Sequence, residues 1–82
     1  MTAQARLRRL RWRCRRGMKE LDVLLERFLE RQEASLARGG WPELEALLDT
    51  EDDQLWEWMR NPSAPGSGPY RRLIESICDD AG

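Results

Sequence analysis

The sequence MKELDVLLERFLERQEASLA, residues 18–37, decides the fold, because its apolar side chains recur at intervals of three and four. That spacing places them on one face of an α-helix. The members of this stripe are Met18, Leu21, Leu25, Phe28, Leu29 and Leu36, with Gln32 in register. The stretch therefore predicts an amphipathic helix that buries one side and exposes the other.

A shorter stripe of the same kind precedes it, carried by Leu7, Leu10 and Cys14 within residues 3–15. Gly17 lies between the two stripes, and a glycine inside a helix costs about 1 kcal/mol relative to alanine. We therefore predict two helices with a break at Gly17. Because the two stripes nearly match in phase, one continuous helix is the competing interpretation.

Three more helices are predicted downstream. Gly39 and Gly40 suit a C-terminal glycine cap, Pro42 suits a first helical turn, and Thr50 or Asp52 suits an N-terminal cap. The predicted helices are 3–15, 18–37, 42–49, 52–60 and 69–79, with a flexible loop at 61–68 and a frayed tail at 79–82. The chain of 82 residues is thus expected to be all-α, a small five-helix bundle with one domain spanning 1–82.

The predicted core continues along these later helices. Its members are Leu44, Leu47, Leu48, Leu55, Trp58, Met59, Tyr70, Leu73, Ile74 and Ile77. Trp58 shares a helix face with Leu55 and Met59, so it is assigned to the core. Trp12, Trp41 and Trp56 are left open, since an exposed tryptophan can anchor an interface.

The net charge of −1 conceals a strong asymmetry. Residues 1–19 hold eight of the 14 basic residues and none of the 15 acidic ones. The remainder carries six basic residues against 15 acidic ones, a formal charge of −9. A basic segment on an acidic body suggests an electrostatically steered contact with a partner.

Several functional classes are disfavoured by composition. The chain has no histidine, which removes the imidazole of nucleophilic triads and the commonest metal ligand. Cys14 and Cys78 form no C-x-x-C pair, so we expect two reduced thiols and no metal site. No G-x-G-x-x-G pattern is present, so we expect no stably bound cofactor, and we expect no catalytic residue. We also expect neither a signal peptide nor a membrane span.

The segment around Gly17 is the strongest candidate for a binding site. Arg16 and Glu20 are four residues apart, so they could share a helix face and present a donor fork beside an acceptor. Gly17 between them would let a partner's backbone approach closely. The candidate partner-binding residues are Arg11, Arg15, Arg16, Gly17, Met18, Glu20 and Asp22.

The run WRCRRGMKELD, residues 12–22, resembles the signature of the SdhE family, whose core is R-G-x-x-E. Here that core is Arg16, Gly17 and Glu20, followed by Asp22. Residues 52–59, DDQLWEWM, resemble a second family segment, D-x-x-L-x-x-W, at the expected distance. The members are bacterial FAD assembly factors for succinate dehydrogenase, related to a mitochondrial assembly factor of the same enzyme.

The resemblance implies a five-helix, non-enzymatic chaperone. Since nothing in the sequence marks secretion, we expect a cytoplasmic protein, and we expect it to be a monomer. It would dock on the flavoprotein subunit of succinate dehydrogenase, and on that of fumarate reductase as a further client. The partner would hold the FAD and form the covalent bond in its own site. Arg16 would donate charge-assisted hydrogen bonds to the partner, Glu20 would pair with a basic or N–H-rich patch, and Asp22 would cap the junction.

Two alternatives are retained. The basic first helix suits a nucleic-acid-binding regulator, although the acidic body disfavours contact with a polyanion. An antitoxin-like interaction protein is the other alternative. The absence of a readable helix-turn-helix pattern also disfavours binding to DNA.

Overall fold

The computed structural model describes residues 3–79 as six α-helices and one short 3-10 helix, with no β-strand in that range. The α-helices are α1 (Ala3–Arg13), α2 (Lys19–Arg31), α3 (Glu33–Ala37), α4 (Leu44–Leu48), α5 (Asp52–Arg60) and α6 (Arg71–Cys78). The 3-10 helix is Gly68–Tyr70. The all-α class is confirmed. The predicted count of five is wrong by one, and the predicted fraying of the tail falls almost entirely outside the described residues.

The chain breaks between α1 and α2, where Gly17 adopts a φ of +91°. This excludes one continuous helix across the two stripes. The α1 helix ends at Arg13, two residues earlier than predicted. The backbone N–H of Arg15 donates to the carbonyl of Trp12 at 3.2 Å, which closes a turn after the helix. Residues 14–18 therefore form a connector, and its conformation decides where Arg16 points.

The extra helix arises because the predicted second helix is divided at Gln32. Its backbone leaves the helical region there (φ −104°, ψ 17°), although no glycine or proline occurs at this point. The indole of Trp41 donates to Gln32 Oε1 at 3.3 Å and packs edge-on against Phe28, with ring centroids 5.6 Å apart. The bend turns α3 onto α1. A tertiary contact has thus overridden a regular local pattern.

One hydrophobic core joins all six helices. Every predicted stripe contributes to it, and Tyr70, Met18 and Gln32 are half-buried at its edge. The buried side chains are Leu7, Leu10, Cys14, Leu21, Leu25, Phe28, Leu29, Leu36, Leu44, Leu47, Leu48, Leu55, Trp58, Met59, Ala64, Leu73, Ile74 and Ile77. No helix within residues 3–79 combines the length and the apolar character that crossing a bilayer demands.

The segment 61–68, whose composition predicts a flexible loop, is held to this core. Ser67 is 2% exposed, and its hydroxyl lies 2.6 Å from the carbonyl oxygen of Pro62 and 2.8 Å from that of Ala64, so the two carbonyls share its one proton. Ala64 is itself buried. Side chain-to-backbone hydrogen bonds of this kind satisfy the carbonyls of a turn without regular secondary structure.

Arg6 joins α1 to the bend and to α4. Its guanidinium donates to the carbonyls of Leu36 (2.6 Å), Gly40 (2.8 Å) and Trp41 (3.0 Å). It also forms a two-pronged ion pair with the Glu45 carboxylate, at 2.9 and 3.0 Å. The guanidinium also places a cation near the C-terminal end of α3, which the helix dipole favours.

This ion pair predicts how stability depends on pH. The hydrogen bonds from Arg6 lower the pKa of Glu45 below its ordinary value of 4.5. The pair therefore stabilises the fold fully above about pH 4.5 and less as the pH falls through the folded-state pKa. We expect Glu45→Gln to melt at a lower temperature than the parent chain at neutral pH, with a smaller gap at about pH 3. Thermal unfolding followed by circular dichroism across this range measures both.

The matched control is Glu57→Gln, because Glu57 is exposed and forms no ion pair within residues 3–79. Its melting curve should follow that of the parent chain at neutral pH. If Glu45→Gln and Glu57→Gln gave the same melting temperature at every pH, the Arg6 pair would not contribute to stability.

Candidate functional site

The Arg16 side chain is anchored inside the molecule. Its Nη1 donates to the carbonyl of Leu48 at 2.7 Å, its Nη2 donates to the carbonyl of Thr50, and its Nε donates to the carboxylate of Asp52. Only 13% of the side chain is exposed. Arg16 therefore closes the C-terminal end of α4 and neutralises the first residue of α5.

This arrangement corrects the prediction that Arg16 and Glu20 share a helix face. Residues four apart are neighbours only when both belong to one helix. Arg16 lies in the connector, and α2 begins at Lys19. The guanidinium turns toward α4 and α5, while Glu20 is exposed. The Arg16 guanidinium is engaged by α4 and α5 in the chain on its own, and its contact with a partner stays a prediction.

Asp52 and Thr50 also differ from their predicted roles as N-terminal caps. The residue in the cap position of α5 is Glu51, and no side chain caps this terminus by a hydrogen bond. The Asp52 carboxylate pairs with Arg16, and Thr50 contributes its backbone carbonyl. The Asp52 carboxylate, which could have capped the first turn of α5, is instead paired with a cation from a distant segment.

Asp22 and Gly17 fix the shape of the connector. The Asp22 carboxylate accepts the backbone N–H of Arg16 at 2.9 Å and that of Gly17 at 3.1 Å. Asp22 thus supports the junction from the first turn of α2. Gly17 is exposed, and a Cβ added there would meet no atom within 4 Å. Its positive φ requires glycine, and the open space above it is accessible to another molecule.

The Arg16 contacts predict a large loss of stability in Arg16→Ala. Removing the guanidinium leaves two carbonyls and a carboxylate without their donor, so we expect unfolding to become easier by about 2–3 kcal/mol. Arg16→Lys should recover only part of this, because an ammonium group lacks the fork geometry. Urea unfolding measures the three free energies.

Arg15→Ala is the control, because Arg15 is the exposed neighbour of Arg16 and forms no ion pair within the described chain. Its free energy of unfolding should stay within about 0.5 kcal/mol of the parent value. Equal losses in Arg15→Ala and Arg16→Ala would mean that the internal contacts of Arg16 carry no net stability.

A hollow with an apolar floor lies immediately beyond the connector. It measures about 440 Å³. The residues that line it are Lys19, Glu20, Val23, Leu24 and Trp56. Val23 is 37% exposed, and Leu24 and Trp56 are half-buried against the core. Apolar groups in the middle with opposite charges at the rim are typical of a protein-docking surface.

The remaining residues predicted to bind a partner differ in how far they are exposed. Met18 is half-buried and packs on the core, so it is less accessible than predicted. Arg11 approaches Glu33 at 3.6 Å, with both side chains more than half exposed. Arg15 is exposed. Arg15, Gly17 and Glu20 are thus exposed in or beside the connector, while Arg16 and Asp22 support it from inside.

Sequence reasoning missed Val23 and Leu24, and left Trp56 open. Glu20, Val23 and Leu24 follow the spacing i, i+3, i+4, which placed them on a common face of α2. That face was overlooked because the buried stripe of α2 is stronger. Trp56 could be assigned to the hollow only once α5 was positioned beside α2.

A second, smaller cleft separates α1 from α2. It measures about 160 Å³ and is lined by Arg11, Cys14, Arg15, Asp22, Glu26, Leu29 and Glu30. Burial raises the pKa of the Cys14 thiol to about 12, so the thiol stays protonated at neutral pH. Cys14 and Cys78 are both free thiols. Within residues 3–79 no group of three or more Cys, Asp or Glu side chains is arranged to hold a metal ion.

Half of the basic segment is used to hold the fold together. Four of its arginines form ion pairs with acids of α3, α4, α5 or the residue after α4. The pairs are Arg6–Glu45, Arg11–Glu33, Arg13–Asp49 and Arg16–Asp52. Half of the cations in this segment are therefore paired within the molecule, which the sequence alone did not predict.

Comparisons with known proteins agree on one family. The family model described as the flavinator of succinate dehydrogenase matches residues 8–81. An FAD assembly factor SdhE from Coxiella burnetii is 40% identical over 70 residues, covering 85% of both chains. One from Xylella fastidiosa strain Temecula1 is 44% identical over 77 residues (94% of this chain, 79% of the relative), and one from Pseudomonas aeruginosa is 34% identical over 79 residues (96% and 94%). No solved structure matches with comparable significance.

Proposed function

The chain belongs to the family described as the flavinator of succinate dehydrogenase, and we propose that it docks on the flavoprotein subunit of that enzyme and promotes the covalent attachment of FAD there. The observation that carries the proposal is the surface formed by Gly17, Glu20 and the hollow beside them. We name this the Gly17 surface, comprising Gly17, Lys19, Glu20, Val23, Leu24 and Trp56.

The geometry of this surface supports docking to a protein. Gly17 has open space above it, so a partner's backbone can approach the connector to van der Waals contact. The exposed Glu20 carboxylate is available to accept hydrogen bonds from the partner, and Trp56 and Val23 supply apolar area. A rigid connector costs little ordering entropy on binding, because Asp22 and Arg16 already fix it.

The chain's own residues do not fit FAD. The cleft between α1 and α2 is smaller than the roughly 300 Å³ of typical ligand pockets, and its three carboxylates oppose a diphosphate. The two larger hollows, of about 440 and 450 Å³, are open to solvent rather than enclosed, so neither could bury a dinucleotide as ligand pockets do. The chain has no G-x-G-x-x-G loop. The flavin is therefore assigned to the flavoprotein, and this chain, which lacks histidine, is assigned no catalytic step.

An accessory protein of this kind acts by selecting a conformation of its partner. It must bind the attachment-competent state of the flavoprotein more tightly than the other states, since equal affinity would shift nothing. The expected thermodynamic signature is a higher population of the competent state, with no covalent chemistry on this chain.

The deciding measurement is covalent flavin on the flavoprotein subunit, detected as in-gel fluorescence of the denatured protein. Cells lacking this gene should lose the signal, and restoring the gene should bring it back, with immunoblotting to show that subunit levels are equal. The same gel, applied to the fumarate reductase flavoprotein, tests the second client. Equal fluorescence with and without the gene would refute the proposal.

A further inference from the structure

The outer face of α1 presents an exposed tryptophan between arginines. Trp12 is 75% exposed, the most of any large apolar side chain within the described residues. With Arg8, Arg9 and Arg13 it lines an open hollow of about 450 Å³. We call these four residues the Trp12 face. Leu7 and Leu10, on the opposite side of α1, are buried in the core.

Two of the three arginines on this face, Arg8 and Arg9, are not paired within the part of the fold that the structure describes. Arg6, Arg11, Arg13 and Arg16 all pair with acids of other elements. Arg8 and Arg9 are exposed, and their side chains form no hydrogen bond or ion pair within residues 3–79. Two uncompensated cations flanking a solvent-exposed indole leave the face complementary to an apolar depression bordered by anions.

We propose that the Trp12 face is a second contact with the flavoprotein partner, in which the indole enters an apolar depression and Arg8 and Arg9 pair with carboxylates at its rim. The inference rests on the proposed function for the identity of the partner. Tryptophan and arginine are the residue types that most often dominate binding energy at such contacts. Arginine also forms two parallel hydrogen bonds with a carboxylate.

An acidic protein surface fits this face better than a nucleic acid does. Affinity for nucleic acid grows with the number of phosphates that the protein neutralises. Four of the eight cations in the basic segment are already paired internally. Glu26 and Glu30 also stand beside Arg11 and Arg15 across the adjoining cleft, where they would repel a second strand of phosphates.

The test is the binding of purified full-length chain to the purified flavoprotein subunit, measured as association and dissociation rates by surface plasmon resonance. Trp12→Ala should weaken binding by about 30-fold, mainly through faster dissociation, with an unchanged melting temperature. The double variant Arg8→Glu, Arg9→Glu should slow association and flatten its dependence on salt. The charge-matched control is Arg60→Glu, Arg72→Glu, because both arginines are exposed and unpaired within the described chain.

The outcomes separate this inference from the proposed function. Loss of binding in Gly17→Leu together with unchanged rates in Trp12→Ala would overturn the Trp12 contact and leave docking through the Gly17 surface intact. If the two charge-reversed double variants changed the association and dissociation rates equally, the effect would come from net charge alone. That outcome would also overturn the Trp12 contact. A single-stranded oligonucleotide that binds the parent chain but not Trp12→Ala in fluorescence anisotropy would assign the face to a polyanion instead.

Discussion

Gly17→Leu is expected to abolish covalent flavin on the client subunit while the chain stays folded. The leucine side chain would occupy the space above the connector that is open in the structure, so a partner's backbone could no longer approach. It would also strain the connector, because a φ of +91° costs a residue with a Cβ about 1–2 kcal/mol. In-gel flavin fluorescence measures the activity, and circular dichroism measures the fold.

Gly39→Leu is a matched control, since Gly39 has a φ of +90°, is exposed, and would bring an added Cβ within 4 Å of no other atom. Gly39 follows α3 and lies near Arg6, in the N-terminal half of α1, whereas Gly17 follows the C-terminal end of α1. The two glycines therefore belong to different parts of the surface. Both variants should lose similar stability, and only Gly17→Leu should lose flavin attachment. An equal loss of flavin signal in the two variants would show that the effect of Gly17→Leu comes from lost stability. Full signal in both would show that flavin attachment does not need the open space at Gly17.

Trp58→Ala is expected to destabilise the chain by about 3–5 kcal/mol, the usual range for truncating a buried tryptophan. Trp58 is 7% exposed, its ring lies 6.0 Å from that of Tyr70, and its indole donates to the carbonyl of Pro65 at 3.4 Å. The substitution therefore opens a cavity and also removes a hydrogen bond that ties the 61–68 segment to α5. That loss is a large part of the roughly 5–15 kcal/mol that stabilises a typical domain.

The reference for this measurement is Trp12→Ala, which removes the same side chain from an exposed position. Its free energy of unfolding in urea should stay within about 0.5 kcal/mol of the parent value. Similar unfolding curves for Trp58→Ala and the parent chain would show that the core does not depend on Trp58.

The apolar stripes determined most of the helical architecture. Leu7, Leu10 and Cys14 on one side of Gly17 are buried as their spacing predicts, and so are Leu21, Leu25 and Phe28 on the other. Spacing is reliable here because a helix face is a local property of the chain. The break at Gly17 was also readable, since a glycine at that position interrupts two good helical segments. The family followed from the order of motifs in residues 12–22 and 52–59.

Only the tertiary structure decided how the charged and polar side chains are used. Helical spacing paired Arg16 with Glu20, whereas the folded chain pairs Arg16 with Asp52, 36 residues away. The bend at Gln32 likewise depends on Trp41, which reaches it from beyond α3.

The same limit applies to the basic segment, in which eight cations look equivalent along the sequence. Arg6 is held by Glu45, whereas Arg8 remains free within the described chain. The difference arises because long charged side chains choose partners by distance in space, and that distance is set only when the apolar stripes have packed the helices together.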